Sequence, residues 1–247
     1  MTTILAAAAS GLAHYQQVVD VVADNVANVS TPGFKATRAL AHGAPALPGT
    51  PESGPLGVRL TALERRFAPG ALQASPFATE VALRDDAFLV LQAPDGTRRY
   101  TRAGTLRFDS VGNLVGPEGL LTDPPIVVPG DHTSPSIDAF GRVTALSPDG
   151  ETVEVGRLQV ARFVNPSGLI SVGGGLFVPS ENAGAVTFGS PGEGGFAELA
   201  VGFLEASNVS LADELTTLIV AQRAYSASAQ AFRVGDDMLA TAARLTA

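Results

Sequence analysis

The stretch "ADNVANVSTPGFK", Ala23 to Lys35, follows directly on an amphipathic run and closes it with more specification than a helix end requires. A single Gly or Asn suffices to stop a helix. Here Asn25 and Asn28 precede Ser30-Thr31-Pro32-Gly33, and Phe34-Lys35 follow. Pro32 has no backbone donor and restricts Thr31, so the chain must leave the helical path there. Gly33 suits a positive φ that a side chain would resist. The stretch reads as a helix end followed by a fixed exit turn. Its candidate functional residues are Asn25, Asn28, Thr31, Pro32, Gly33, Phe34 and Lys35.

Upstream, Leu5, Leu12, Val19 and Val26 form one series of small or apolar residues, and Ala8, Tyr15, Val22 and Val29 form another. Each repeats every seven residues and the two are offset by three, the a/d pattern of paired helices. The C-terminal end repeats this with Leu218, Tyr225, Phe232 and Leu239, interleaved with Leu215, Gln222, Ala229, Asp236 and Ala243. "SLAD" opens that helix as a capping box, with Ser210 as cap and Asp213 three residues on. From Leu211 to Leu245 it would run about 50 Å at 1.5 Å per residue. Burying a large apolar side chain contributes about 1.5–3 kcal/mol, and many seam positions are Ala, so one intramolecular pair is thin. Gln222 and Asp236 are polar seam residues of the kind that can fix register.

Between the ends, Leu60 to Val201 reads as β structure. Runs such as "AFLVLQ", "LRFD", "PIVV", "RLQVARFV" and "GLFVPS" alternate with turns at Pro94-Asp95-Gly96, Gly112-Asn113, Pro148-Asp149-Gly150 and Gly173-Gly174-Gly175. Regular turns without a helical period indicate a sandwich or barrel-like domain. The stretch "AHGAPALPGTPESGPLG", Ala41 to Gly57, is too rich in Pro and Gly to pack. The expected fold is a mainly β central domain flanked by N- and C-terminal α-helices that pair in a coiled-coil-like domain. Residues 1–35 hold the first helix and exit turn, 36–59 a linker or extended arm, 60–202 the β-rich domain and 203–247 the last helix.

Composition narrows the function. The 247 residues carry a net charge of −8, which disfavours nucleic acid and anionic membranes as partners. Cysteine is absent, so disulfides, thiolate metal sites and a Cys nucleophile are excluded. No apolar run approaches the roughly 20 residues of a membrane span. The start, "MTTILAAAASGLA", resembles a signal-peptide core but lacks a basic leading region, and its heptad period continues unbroken, so an uncleaved start is expected.

No constellation carries chemistry. His14, His42 and His132 share no ligand spacing. "SPDGET" is a single turn, "GSPGEGG" lacks a strand-to-helix context, and "DSVGN" has too few carboxylates for a calcium loop. Asp85-Asp86 and Asp236-Asp237 are adjacent acids that diverge into solvent rather than an acid–base pair. The Asn-x-Ser matches at Asn28 and Asn208 lie at helix ends, where turn chemistry accounts for them. Neither an enzyme nor a cofactor or metal site is expected.

With both ends in view, the sequence resembles the flagellar rod and hook axial-protein family of bacteria. "ADNVANVSTPGFK" is similar to the family's N-terminal signature, with Asp24 in place of the usual Asn. "FLEASNVSLADELTTLIVAQRAY", Phe203 to Tyr225, resembles its C-terminal signature, with Ala206 where Gly is usual. "APDGTRRYTRAGTLRFDSVGNLV" and "ARFVNPSGLISVGGGLFVPS" look like its central regions, although Arg84-Asp85-Asp86-Ala87 replaces a Gly-rich turn. The resemblance implies a non-catalytic rod subunit, closer to the distal than the proximal type, whose terminal helices form the inner domain of a tube. It implies copies of itself, other rod and hook axial proteins and the flagellar type III export apparatus as partners, on the periplasmic side of the basal body. Phe34 would anchor the exiting chain, and Leu215, Leu218, Gln222, Tyr225, Phe232, Asp236 and Leu239 would line the C-terminal seam. A secreted β-domain binding module or adhesin held by a terminal coiled coil is the alternative.

Overall fold

A computed structural model describes residues 2–43 and 57–245. Most of the Pro/Gly-rich stretch expected to be a linker lies outside the described residues. The chain divides into two compact units, one built from Met1–Asn28, Ala36–Arg66 and Val209–Ala247, the other from Val29–Lys35 and Phe67–Asn208.

The first unit holds two helices and a hairpin. Helix α1 (Thr2–Ala27) follows the first heptad run and stops ahead of Pro32. Strands β1 (Thr37–Gly43) and β2 (Val58–Arg65) pair antiparallel from Thr37 opposite Arg65 to Gly43 opposite Val58, with an irregularity between Leu40 and Ala41. Strand β1 thus occupies part of the span read as linker. Its first residue is tied to α1 by Asn25, and β2 is tied to α1 by Ser10, whose Oγ accepts the Val58 N–H at 3.1 Å. Gly57 makes that approach possible, because at its φ of +96° a Cβ would lie 2.0 Å from Ser10 Oγ.

Helix α2 (Leu211–Leu245) covers the range its heptads and cap mark out. Ser210 Oγ lies 3.5 Å from the Asp213 N–H and its carbonyl accepts the Glu214 N–H at 3.0 Å. On the α2 side, small and polar residues take part in the contact with α1. A Cβ on Gly11 would stand 3.0 Å from Ser228 Oγ, and one on Gly235 would stand 3.0 Å from Leu5 Cδ2. Ala221, seven residues before Ser228, is buried, and Glu214 receives a hydrogen bond from Asn25. These α2 positions are seven apart, so the heptad period holds with small residues in the contact.

The second unit is β structure organised on one central strand. Strands β3 (Leu72–Ala74), β4 (Val81–Ala82), β5 (Phe88–Gln92) and β6 (Arg98–Thr101) come first in chain order. In the nine-stranded sheet β5 pairs with β6, with Leu121–Thr122 and with Val160–Phe163. Its apolar run is continuous because both faces are covered, as expected for a buried strand. Leu89 packs into a core with Val81, Leu106, Leu114, Ile137, Val143, Val160 and Leu199. Phe88 and Val90 face a second core with Tyr100, Phe163, Leu169 and Phe177. In that core Phe88 meets Phe67, Phe163 and Phe177 edge-on, with centroids 5.5, 5.7 and 6.1 Å away, a geometry that adds about 0.5–1.5 kcal/mol per pair beyond area. "DSVGN" forms the hairpin between Arg107–Phe108 and Leu114–Val115, with Asp109 Oδ1 accepting the Val111 and Asn113 N–H groups.

Gly235→Leu tests the small-residue seam. Its side chain must enter space held by Leu5 and Ile4, and overpacking of this kind typically costs about 1–3 kcal/mol. Helical circular dichroism should melt earlier, whereas the near-ultraviolet signal of the β unit should not shift. An unchanged helical transition would show that the helices do not meet at Gly235.

Candidate functional site

The exit stretch supplies side chains to both units. In the first unit, Asn25 is 1% exposed near the end of α1. Its Oδ1 accepts the Thr37 N–H at 2.9 Å, and its Nδ2 donates to the Thr37 carbonyl at 2.8 Å and to Glu214 Oε1 at 3.0 Å. One amide therefore ties α1, β1 and the first turn of α2, which only an Asn-sized donor–acceptor pair can do. Asn28 closes α1 by donating Nδ2 to the Asp24 carbonyl at 2.9 Å. The Asp24 carboxylate accepts a second bond from the same amide at 3.1 Å.

In the second unit the turn tightens at Gly33. The Phe34 N–H donates to the Thr31 carbonyl at 3.2 Å, Thr31 is exposed, and Pro32 and Phe34 are half-buried. Gly33 has φ +70°, the positive value its position suggests, and a Cβ there would lie 2.5 Å from the Ala103 backbone nitrogen. Its N–H donates to the Glu205 carbonyl at 2.7 Å. Glu205 ends the strand Phe203–Glu205, which pairs with β3. The outgoing and returning crossings of the chain thus lie side by side within this unit.

They meet on a buried cluster of charge. Lys35, Arg102 and Glu205 are 0%, 2% and 1% exposed. Lys35 Nζ donates to Glu205 Oε1 at 2.5 Å and to the Ala68 carbonyl at 2.9 Å. The Gly70 N–H reaches the same Oε1 at 2.8 Å. Arg102 Nε donates to Glu205 Oε2 at 2.9 Å, while Nη1 reaches the carbonyls of Asp85 and Ala87. Nη2 lies 2.9 Å from Oε2 without an aligned hydrogen bond of its own. Burial pushes the Lys35 ammonium below its ordinary value, the hydrogen bond and charge of Glu205 oppose that, and the Arg102 charge adds to it. Two cations on one carboxylate hold each other in place. Glu205 and Arg102 lie in the quoted segments "FLEASNV" and "YTRAG", and the signal for them was charge: an acid in one signature and bases in two others.

The exposed part of the candidate set lies on α2. Leu218 and Leu239 are partly buried, whereas Leu215, Gln222, Tyr225, Phe232 and Asp236 are exposed. The contact with α1 runs through Glu214, Ala221, Ser228 and Gly235, one residue ahead of the series Leu215, Gln222, Ala229 and Asp236. Small residues let the helix backbones close together, and that turns the bulkier series outward. Gln222 and Asp236 are exposed in the single chain, and the Asn25–Glu214 bond is a polar contact of this pair. Leu211, Leu215, Ile219, Val220, Tyr225, Phe232, Val234 and Met238 leave an apolar surface on α2 with exposures of 38–60%.

A groove in the first unit is lined by His14, Tyr15, Val18, Val22, Thr37, Arg38, Glu214 and Val220. His14 Nδ1 and Thr37 Oγ1 are buried there without a hydrogen-bond partner. Among the described residues no group of three or more His, Asp or Glu side chains could hold a metal. Among them, too, no helix is long and apolar enough to cross a membrane.

Three family models match parts of the chain. Residues 5–35 match "Flagella basal body rod protein", 82–145 the "Flagellar hook protein FlgE/F/G D1 domain", and 200–245 "Flagellar basal body rod FlgEFG protein C-terminal". Paired terminal helices, a β-rich centre and these matches define a flagellar axial protein of rod and hook type. Among curated relatives, the flagellar basal-body rod protein FlgG of Borreliella burgdorferi is 37% identical over 262 aligned residues, with 99% of each chain covered. Those of Buchnera aphidicola subsp. Baizongia pistaciae and Caulobacter vibrioides are 34% and 33% identical, covering 94% and 98% of this chain and 95% and 98% of their own. The chain belongs to the flagellar basal-body rod protein FlgG family, a family of structural rod subunits.

Two predictions follow from this geometry. Removing one member of a buried charge group typically costs about 3–5 kcal/mol, whereas an exposed pair is worth about 0–1 kcal/mol. Glu205→Ala should therefore lower the denaturant midpoint sharply, and Glu193→Ala, which breaks the exposed pair with Arg157, should leave it almost unmoved. Equal effects would show that the buried carboxylate is not held as described. Glu214 titrates above its ordinary value of 4.5, first through burial, against the Asn25 hydrogen bond and with help from the Asp213 charge. A raised carboxyl adds stability below its ordinary value and loses it as pH rises through the raised one. Glu214→Gln keeps an acceptor for Asn25, so its helical unit should melt above the parent near neutral pH. The gap should close on acidification, and a gap that persists below the ordinary carboxyl range would refute the assignment.

Proposed function

We propose that the chain polymerises through α1 and α2 into the tubular shaft that joins the flagellar motor to the hook, in the distal part of the rod. Its neighbours are copies of itself and related axial rod and hook proteins. The observation that supports this reading is the apolar surface of α2. Large side chains from Leu211 to Met238 stay exposed in the single chain, while Glu214, Ala221, Ser228 and Gly235 lie against α1. Scattered exposed apolar residues need no explanation, but a long helix carrying so many calls for partners. A tube built by one repeated heterologous contact supplies them.

The subunit is delivered by the flagellar type III export apparatus to the periplasmic side of the basal body, without loss of a cleaved signal peptide. The packing of α1 supports this, since Leu5, Ala8 and Gly11 belong to the helical unit and cleavage beyond them would remove part of the seam. Asn25, Asn28, Thr31, Pro32, Gly33, Phe34 and Lys35 act in assembly by fixing the end of α1 and the exit turn. Leu215, Leu218, Gln222, Tyr225, Phe232, Asp236 and Leu239 form or flank the surface presented to neighbours.

Phe232→Ala tests the α2 surface. At 38% exposure Phe232 contributes modestly to the isolated chain, whereas a fully buried Phe loses about 3–5 kcal/mol on truncation to Ala. The melting temperature of the purified protein should therefore stay near the parent value, while rods in cells should be incomplete and motility lost. Complete rods and normal motility, with the variant present at ordinary levels, would show that this face is not the assembly contact.

A further inference from the structure

We infer that Lys35, Arg102 and Glu205 are positioning residues for assembly. They hold the outgoing and returning chain crossings of the β unit in a single register, so that every subunit presents the same pair of departure points. The inference rests on the polymer reading for its purpose but not for its geometry. Four segments converge on one residue: the exit turn through Lys35 and Gly33, the start of the continuous β unit through Gly70, the end of β6 through Arg102, and the return strand through Glu205 itself. Lys35 and Glu205 are 170 residues apart in sequence. Around them the Asn208 N–H reaches the Phe34 carbonyl at 3.4 Å, Asn208 Nδ2 reaches the Ala68 carbonyl at 2.9 Å, and the Ala206 N–H reaches the Ala71 carbonyl at 2.8 Å.

Backbone contacts this close leave no room for side chains. A Cβ on Gly70 would lie 1.9 Å from the Ala206 carbonyl oxygen, beside the conflict already described at Gly33. The crossings are therefore packed backbone to backbone, and a slip of one residue would bring Phe34 or Ala36 to the carboxylate in place of Lys35.

Stability alone does not explain a charged cluster here. Well-packed apolar residues of similar volume often replace a buried ion group at no loss, or with a gain. What they cannot replace is direction. Lys35 Nζ and the Gly70 N–H aim at Glu205 Oε1 and Arg102 Nε at Oε2, each from a separate segment, and only one register satisfies all three together with the Gly33 bond. A subunit that repeats one contact around and along a tube must present that contact identically each time. Small differences between departure points would add up along the polymer.

The test uses the full chain with the cluster replaced by apolar residues, Lys35→Met, Arg102→Met and Glu205→Leu together. The expected result is a melting temperature restored close to the parent value, with rods incomplete and motility lost in cells. In the purified monomer, amide exchange at Gly33 and Asn208 should quicken by about tenfold or more while Leu89 to Leu91 and Tyr100 keep their protection, the mark of a local opening. Parent-like exchange at Gly33 would overturn the inference, and so would normal rods and motility in the stable triple variant. If the triple variant fails to fold, Glu205→Gln serves instead, since it keeps the shape and removes the charge. It should show the same local exchange with the sheet intact, and a Gly33 amide as protected as in the parent would overturn the inference. The exchange arm is read on monomer, so it fails or holds independently of whether Phe232 lies in the polymer contact.

Discussion

A carboxylate without water needs its charge partners inside the protein, and Glu205 takes both from distant parts of the chain, 170 and 103 residues earlier. That demand organises what surrounds it. Gly33 has φ +70° and must lack a side chain because the exit turn runs against the Ala103 backbone, and Gly70 must lack one because the Ala206 carbonyl lies over it. Each of these choices makes sense only once the ammonium, the guanidinium and the carboxylate are in place. Desolvation of such ions costs several kcal/mol each unless the geometry is good, so the cluster makes alternative arrangements of the two crossings expensive.

Arg102 joins this cluster to the buried central strand of the β unit. It follows Thr101 at the end of β6, and its Nη1 binds the carbonyls of Asp85 and Ala87 just before β5. Strand β5 is buried on both faces, between the core around Leu89 and the aromatic core around Phe88. The Arg102 guanidinium also sits 5.7 Å from the Phe88 ring centroid. The register of the crossings is thereby referred to the central strand of the sheet and not to a surface loop. Interiors packed to crystal-like density transmit a displacement and do not absorb it, which suits a clamp that has to be the same in every copy.

Much of this was legible in the sequence because it follows from local rules. Two heptad runs, a Ser cap and a Pro-Gly stop give two helices with nearly the right ends, and dense turn signals give a β-rich centre. What stayed hidden has physical causes. Two heptad series run along α2, and periodicity alone does not show which face meets α1. The helices approach through Ala221, Ser228 and Gly235, where smallness is what matters, and hydrophobic periodicity has little to say about small residues. Strand β1 was hidden because "TRALAHG" is half-exposed and borders a Pro/Gly-rich stretch; its pairing with β2 is a long-range fact. The Lys35–Glu205 contact joins the two ends of the chain, and no local pattern can show which of 24 acidic residues meets that lysine.

The two helices invert the usual division of residues in a globular protein. A bundle that is complete by itself places its large apolar side chains between the helices and its small or polar ones outside. Here Gly11, Ser228 and Gly235 lie in the contact, while Leu215, Ile219, Tyr225 and Met238 lie outside it. Close backbones give the pair a defined shape through van der Waals contact and the Asn25 hydrogen bonds. Other apolar side chains of the same helix stay exposed. A closely packed pair that leaves apolar side chains exposed on its long helix is suited to a structural rod subunit, which has neighbours to cover them.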